Sequence, residues 1–183
     1  MPGFNTIVRF IFFIFYILSV SNSDAQSPWI TFTPTGQPFE VKSPGEMKNG
    51  EKNVLTDIGY IRPVTWLYQG LDTDPNYLYM VSYIDYPQGT FHRDSIDLIQ
   101  ELLNVSLETQ IKDLAGTLVY KSEAPYGNHP GIIYRAAYNS NKAVVKGRII
   151  LVNERLYFLQ VYTLSEKSLN HDMDKFLESF KIK

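Results

Sequence analysis

The chain contains no cysteine. That excludes disulfides, thiol catalysis, thiolate-ligated zinc and a lipid-modified cysteine, so stability has to come from packing. It also lacks a basic stripe: 17 Lys and Arg stand against 19 Asp and Glu, for a net charge of -2. The electrostatic footprint of a nucleic-acid binder is therefore missing, and no nucleic-acid partner is expected. Catalytic signatures are scarce as well. No Gly-x-Ser-x-Gly elbow or phosphate-cradling glycine loop occurs, which leaves a hydrolase unsupported. The three histidines, His92, His129 and His171, include no pair at metal-ligand spacing and read as surface residues. Asp72-Thr73-Asp74-Pro75 opens like a calcium loop, but Asn76-Tyr77-Leu78 follows in place of the next ligand, the glycine and the closing glutamate. It reads as a turn. No catalytic, cofactor-binding or metal residue is assigned.

Long apolar runs are limited to one. Residues 10–20, FIFFIFYILSV, follow Arg9 and precede Ser21-Asn22-Ser23-Asp24-Ala25-Gln26. The run is too short to span a bilayer comfortably and the small residues after it suit a signal peptidase, so residues 1–25 read as a secretory signal peptide. Cleavage is expected after Ala25, with Ser23 as the alternative. The remaining residues 26–183, about 158 in all, suffice for one domain with a single core. The expected location is periplasmic or extracellular, with no stable membrane insertion after cleavage. Tyrosine is abundant, thirteen residues against two tryptophans, and many fall in strand-like runs, where a ring packs well on a pleated surface.

The most ordered pattern is residues 127–163. A turn over residues 127–131 leads into three runs, 132–138, 143–152 and 155–163, separated by Asn139–Lys142 and by Asn153-Glu154. Three antiparallel strands follow. On the middle strand Val145, Gly147, Ile149 and Leu151 share one face, while the last strand is apolar on both faces and should be covered on both. Upstream, Ile30-Thr31-Phe32 and Phe39-Glu40-Val41 predict two short strands joined by Thr35-Gly36-Gln37-Pro38, and residues 44–53 predict an exposed loop. Residues 54–61 and 64–69 predict two further strands interrupted at Arg62-Pro63, and residues 76–85 another.

Between these blocks the period changes. Ile96, Ile99, Leu103, Leu107, Ile111 and Leu114, widened by Leu102, recur at three- and four-residue spacing and predict a helix over residues 93–114. Asp94 is its expected N-cap, and Gly116 the left-handed residue past its end. Its polar face is net acidic, so the stripe is core-facing rather than membrane-binding. A second stripe of Leu169, Met173, Phe176, Leu177 and Phe180 predicts a closing helix capped by Ser165. The fold class is α+β: about six to eight strands in a mostly antiparallel sheet, with helices packed on it.

This order and its local text resemble the PsbP-like superfamily, which includes the extrinsic subunit of the photosystem II oxygen-evolving complex, a Ran-binding nuclear import factor and many uncharacterised exported bacterial domains. The resemblance runs from about Trp29 to Ile182. It is carried by Ile30-Thr31-Phe32, Phe39-Glu40-Val41 before Pro44, His129-Pro130-Gly131, Tyr134-Arg135, Arg155-Leu156-Tyr157 with Leu159, and Phe176-Leu177-Glu178-Ser179-Phe180. In bacterial relatives a charged pair usually follows the Pro-Gly turn, where Ile132-Ile133 stand here, so no role resting on that pair carries over. The resemblance implies an α/β/α sandwich that serves as a non-enzymatic accessory or binding module for a protein or small ligand at the cell envelope. The alternative is an enzyme of unfamiliar type using His92, Asp94 and His129. These two readings part on whether those side chains converge in a concave pocket.

Overall fold

Extended runs have to pair their backbone groups, and here seven of them pair into one antiparallel sheet. The structure is a computed structural model and describes residues 29–51, 54–56, 59–61, 63–92 and 95–183. The expected signal peptide, the expected cap Asp94 and the break at Arg62 lie outside the described residues. In chain order the elements are β1 (Ile30–Phe32), β2 (Phe39–Ser43), β3 (Lys48–Glu51), β4 (Val54–Thr56), β5 (Gly59–Ile61), β6 (Val64–Gln69), β7 (Leu78–Asp85), α1 (Ile96–Asp113), β8 (Thr117–Glu123), β9 (Gly131–Tyr138), β10 (Ala143–Val152), β11 (Arg155–Leu164), a 3-10 turn (Ser165–Lys167), α2 (His171–Glu178) and β12 (Lys181–Ile182). The main sheet has the order β3-β6-β7-β11-β10-β9-β8, and a small sheet has the order β1-β2-β12.

The expected meander is present as β9, β10 and β11, with Ala143 opposite Tyr138 and Val152 opposite Arg155. Its turns use left-handed residues: Asn139, Ser140 and Asn141 in the first and Asn153 in the second. Asparagine tolerates that region because its short polar side chain can bond locally. Both faces of the sheet are covered, so β11 is buried on both sides, as its double apolar pattern requires. On one face α1 packs over Ile132, Tyr134, Ala136, Val145, Ile149, Leu151, Leu156 and Phe158. On the other, α2 and the small sheet enclose Tyr79, Val81, Tyr83, Tyr157, Leu159 and Val161 with Phe39, Val41, Met173, Phe176 and Phe180.

Two buried polar links fasten the helices to this sheet. Gly147 stands opposite both Tyr134 and Gln160, and a Cβ at Gly147 would lie 2.5 Å from the Tyr134 ring. Without that side chain the Tyr134 ring crosses the strand, so that Gln160 Nε2 donates to the Tyr134 hydroxyl at 2.9 Å and to Gln110 Oε1 of α1 at 2.7 Å. The Tyr134 hydroxyl donates to the same Gln110 oxygen. Burial pushes the Tyr134 phenol above its ordinary pKa, so it remains a donor. On the opposite face Asn170 caps α2 by accepting from the Met173 amide, and it exchanges amide hydrogen bonds with the fully buried Asn76.

Several local expectations are corrected. The loop over residues 44–53 contains β3, because its backbone at Lys48–Glu51 completes the ladder along β6; polar composition suits an edge strand with one solvated face. Residues 54–61 are two short paired strands, β4 and β5, rather than one. Helix α1 begins after Ser95, which makes no side-chain capping bond. At its end Ala115, not Gly116, takes the positive φ of 47°. The Gly116 amide bonds Ile111 O and the Ala115 amide bonds Lys112 O, the two bonds of a Schellman ending. Gly116 is glycine for closeness instead, since a Cβ there would stand 2.9 Å from Ala137 O. Ser165 starts the 3-10 turn, leaving Asn170 as the cap of α2, and Leu169 is 92% exposed instead of lying on the stripe.

Candidate functional site

The sheet and α1 diverge at one end, and a cleft of about 1110 Å³ opens between them. Its floor comes from Ile99 and Leu103 of α1, Ile132 of β9 and Leu151 of β10. These are core positions on facing layers. Ile132, one of the two residues after the Pro-Gly pair, thus forms floor, with 6% of its surface exposed. Ile96 was expected in the core stripe but is 61% exposed and lines the mouth.

Each wall is held by identifiable bonds. Lys121 of β8 donates from Nζ to Asn104 Oδ1 of α1 at 2.7 Å, joining the sheet edge to the helix. Opposite, Glu154 in the β10–β11 turn accepts from the Gly89 amide at 3.1 Å, and its carbonyl accepts from the Tyr86 amide at 2.8 Å. These bonds fasten the segment carrying Phe91 and His92. The third wall is the hairpin turn joining β8 to β9. Tyr126 and His129 exchange backbone hydrogen bonds at 2.9 Å, and Gly127 between them has φ of 57°, as a two-residue loop with glycine first requires. Arg148 reaches this turn from behind, donating to Ala124 O at 3.2 Å and Pro125 O at 2.8 Å. Desolvation lowers the pKa of its guanidinium.

The tight turn is therefore at Gly127-Asn128, which corrects its expected place at Pro130-Gly131. Gly131 opens β9 with no positive φ, yet a Cβ on it would stand 2.8 Å from both Ala124 O and Ile149 O. Both atoms are backbone and yield little. Gly131→Val should lower stability by about 1–3 kcal/mol or more through overpacking, with Gly131→Ala intermediate. Chemical denaturation of the two variants checks this; a Gly131→Ala protein as stable as the parent would overturn it.

His92 and His129 both line the cleft. Asp94 lies outside the described residues, and His171 stands elsewhere, at the start of α2. Neither cleft histidine makes a side-chain hydrogen bond among the described residues; the His129 ring stacks on Tyr126 at 6.5 Å. No group of three His, Asp or Glu among the described residues is placed to hold a metal ion. No described helix is long and apolar enough to cross a membrane. Sequence reasoning named His92 and His129 but missed the floor, because Ile99, Leu103 and Leu151 carry the same apolar pattern as the closed core beside them.

Two unequal layers of helix on a central antiparallel sheet, with the small sheet beside α2, define an α+β sandwich of PsbP-like fold. The chain is similar to the solution structure of cyanobacterial PsbP (CyanoP) from Synechocystis sp. PCC 6803, with a TM-score of 0.55 and 12% identity over 86% of this chain and 94% of that one. At that identity the likeness carries the fold alone. No family model matches the sequence, and no curated protein matches it.

Proposed function

We propose that the protein is an exported, non-enzymatic binding module. Its cleft between α1 and β8 takes a small ligand, or a segment of a partner protein, that has an apolar body and a hydrogen-bonding end. The observation that carries this reading is the cleft's composition: an apolar floor with a few polar groups at its rim, Gln100, Asn104, Asn128 and His129 among them. Its volume is slightly above the range of ligand pockets, roughly 300–1,000 Å³. The enzyme reading draws on His92 and His129 sharing that cleft. A general base needs a partner that orients it, and among the described residues neither imidazole bonds a carboxylate.

The test is a fragment titration followed by amide chemical shifts, with generic hydrolase substrates and metals assayed in parallel. Binders should shift Leu103, Ile132 and Leu151, and His129→Ala should leave the melting temperature unchanged. Turnover that His129→Ala abolishes without loss of stability would reverse the choice between module and enzyme. Export rests on the residue 10–20 run and its small-residue flank. The native protein should have the intact mass of a chain beginning at Gln26 or Asp24, and a mass that includes residues 10–20 would refute export with cleavage.

A further inference from the structure

Among the described residues strand β8 ends the main sheet, and all seven of its residues are exposed, including Leu118, Val119 and Tyr120. Which backbone groups it leaves unpaired follows from the ladder. The Ala124 amide bonds Gly131 O at 2.8 Å, and Glu123 lies opposite Ile132. Hydrogen-bonded and non-hydrogen-bonded pairs alternate in an antiparallel ladder. Ser122 and Tyr120 therefore turn their backbone groups to β9, while Lys121 and Glu123 turn theirs outward. The outward ladder is short at both ends. Pro125, the next outward position, has no N–H, and the register breaks at Val119 between Leu118 and Tyr120.

The outward pair is self-complementary. If two copies meet antiparallel about a two-fold axis through Ser122, each Lys121 stands directly opposite the other copy's Glu123. Four backbone hydrogen bonds join the outward groups, and both charge pairs are matched. Centring the axis on Lys121 or on Glu123 instead puts like charges directly opposite, which is destabilising. Centring it on Tyr120 places Lys121 against the bulged Val119. A lysine on an edge strand ordinarily blocks pairing with other strands; here the glutamate two residues on matches it to a copy of itself.

We propose that β8 is a homodimerisation edge, paired antiparallel with β8 of a second copy in the register that opposes Lys121 and Glu123. The sheet then runs continuously through both copies and places both α1 helices on one face. Since Lys121, Ser122 and Glu123 also line the cleft, each cleft faces its counterpart across the shared strand pair, and the second copy's β8 extends its outer wall.

Sedimentation of the purified protein over a wide concentration range, without any ligand, tests this separately from the binding reading. The average mass should rise towards twice the monomer mass as concentration increases. Lys121→Glu and Glu123→Lys should each stay folded and monomeric, because each sets like charges opposite. The double exchange, K121E with E123K, should restore the dimer. Glu123→Lys leaves the Lys121–Asn104 bond intact, so its result stands even if Lys121→Glu disturbs the cleft wall. A parent protein that is monomeric throughout, single variants that dimerise like the parent, or a double exchange that fails to restore association would each overturn the proposal.

Discussion

Replacing Phe39 by alanine should lower stability by about 3–5 kcal/mol, the range for deleting a buried aromatic side chain. Phe39 is fully buried and touches three rings: Trp66 at 5.5 Å, Tyr157 at 5.7 Å and Phe180 at 5.6 Å between centroids. Those rings come from β6, from β11 and from just beyond α2, so one side chain fastens the small sheet to the main sheet and to the helix. Little can collapse into the space it leaves. The neighbouring rings also pack on Tyr83 and Tyr126, which hold them in place. In urea, where stability falls by about 1–3 kcal/mol per M for small proteins, the midpoint should drop by at least about 1 M. Thr31→Ala, on the exposed side of β1, is the control. A Phe39→Ala midpoint no lower than that control would show that the small sheet is not docked through this residue.

The second large effect is expected on the opposite face. Leu103 is 4% exposed and lies with Leu107 against Ile132, Ile149 and Leu151. Leu103→Ala should cost about 2–5 kcal/mol, from lost burial plus the cavity left behind. Leu103 also lines the cleft floor. The same variant deepens the cleft, so a fragment that contacts the floor should change affinity with it. Glu101→Ala, exposed on the far side of α1, should leave the denaturation midpoint nearly unmoved. Equal midpoints for the two variants would mean that the apolar stripe of α1 does not face the sheet.

The strand meander was legible because each of its runs is rich in strand-forming residues over six positions or more and each break contains asparagine or glycine. The α1 stripe was legible from its period, and Leu103 and Leu107 are buried as that period requires. Periodicity assigns a face, however, and a face continues past the place where its partner ends. Ile96 belongs to the same stripe and is exposed because it lies at the mouth of the cleft between α1 and the sheet. Leu169 fits the second period, but the chain is turned at Ser165–Lys167 before α2 begins. Cap positions moved for a related reason. Ser165 and Asn170 are both good caps by residue type, and the buried hydrogen bonds to Asn76 favour Asn170.

The candidate site was legible only in outline. His92 and His129 are far apart in sequence, and nothing local indicates that they share a cleft; the β8–β9 pairing and the Glu154–Gly89 bond bring them to it. The cleft floor consists of core residues, whose apolar pattern is the same as that of the closed core.

By itself the sequence determined the absence of disulfide and thiol chemistry, the α+β class, the antiparallel meander and the buried faces of its strands and of α1. These follow from residue type and from periods of two and 3.6, which act over a few neighbouring residues. Tertiary structure decided the seven-strand order, the exposed edge at β8 and its outward-facing Lys121 and Glu123. It also decided the glycine positions at Gly131 and Gly147 and the cleft beside α1. Each of these depends on which distant backbone or ring comes within a few ångströms, and that distance is set only when the layers pack.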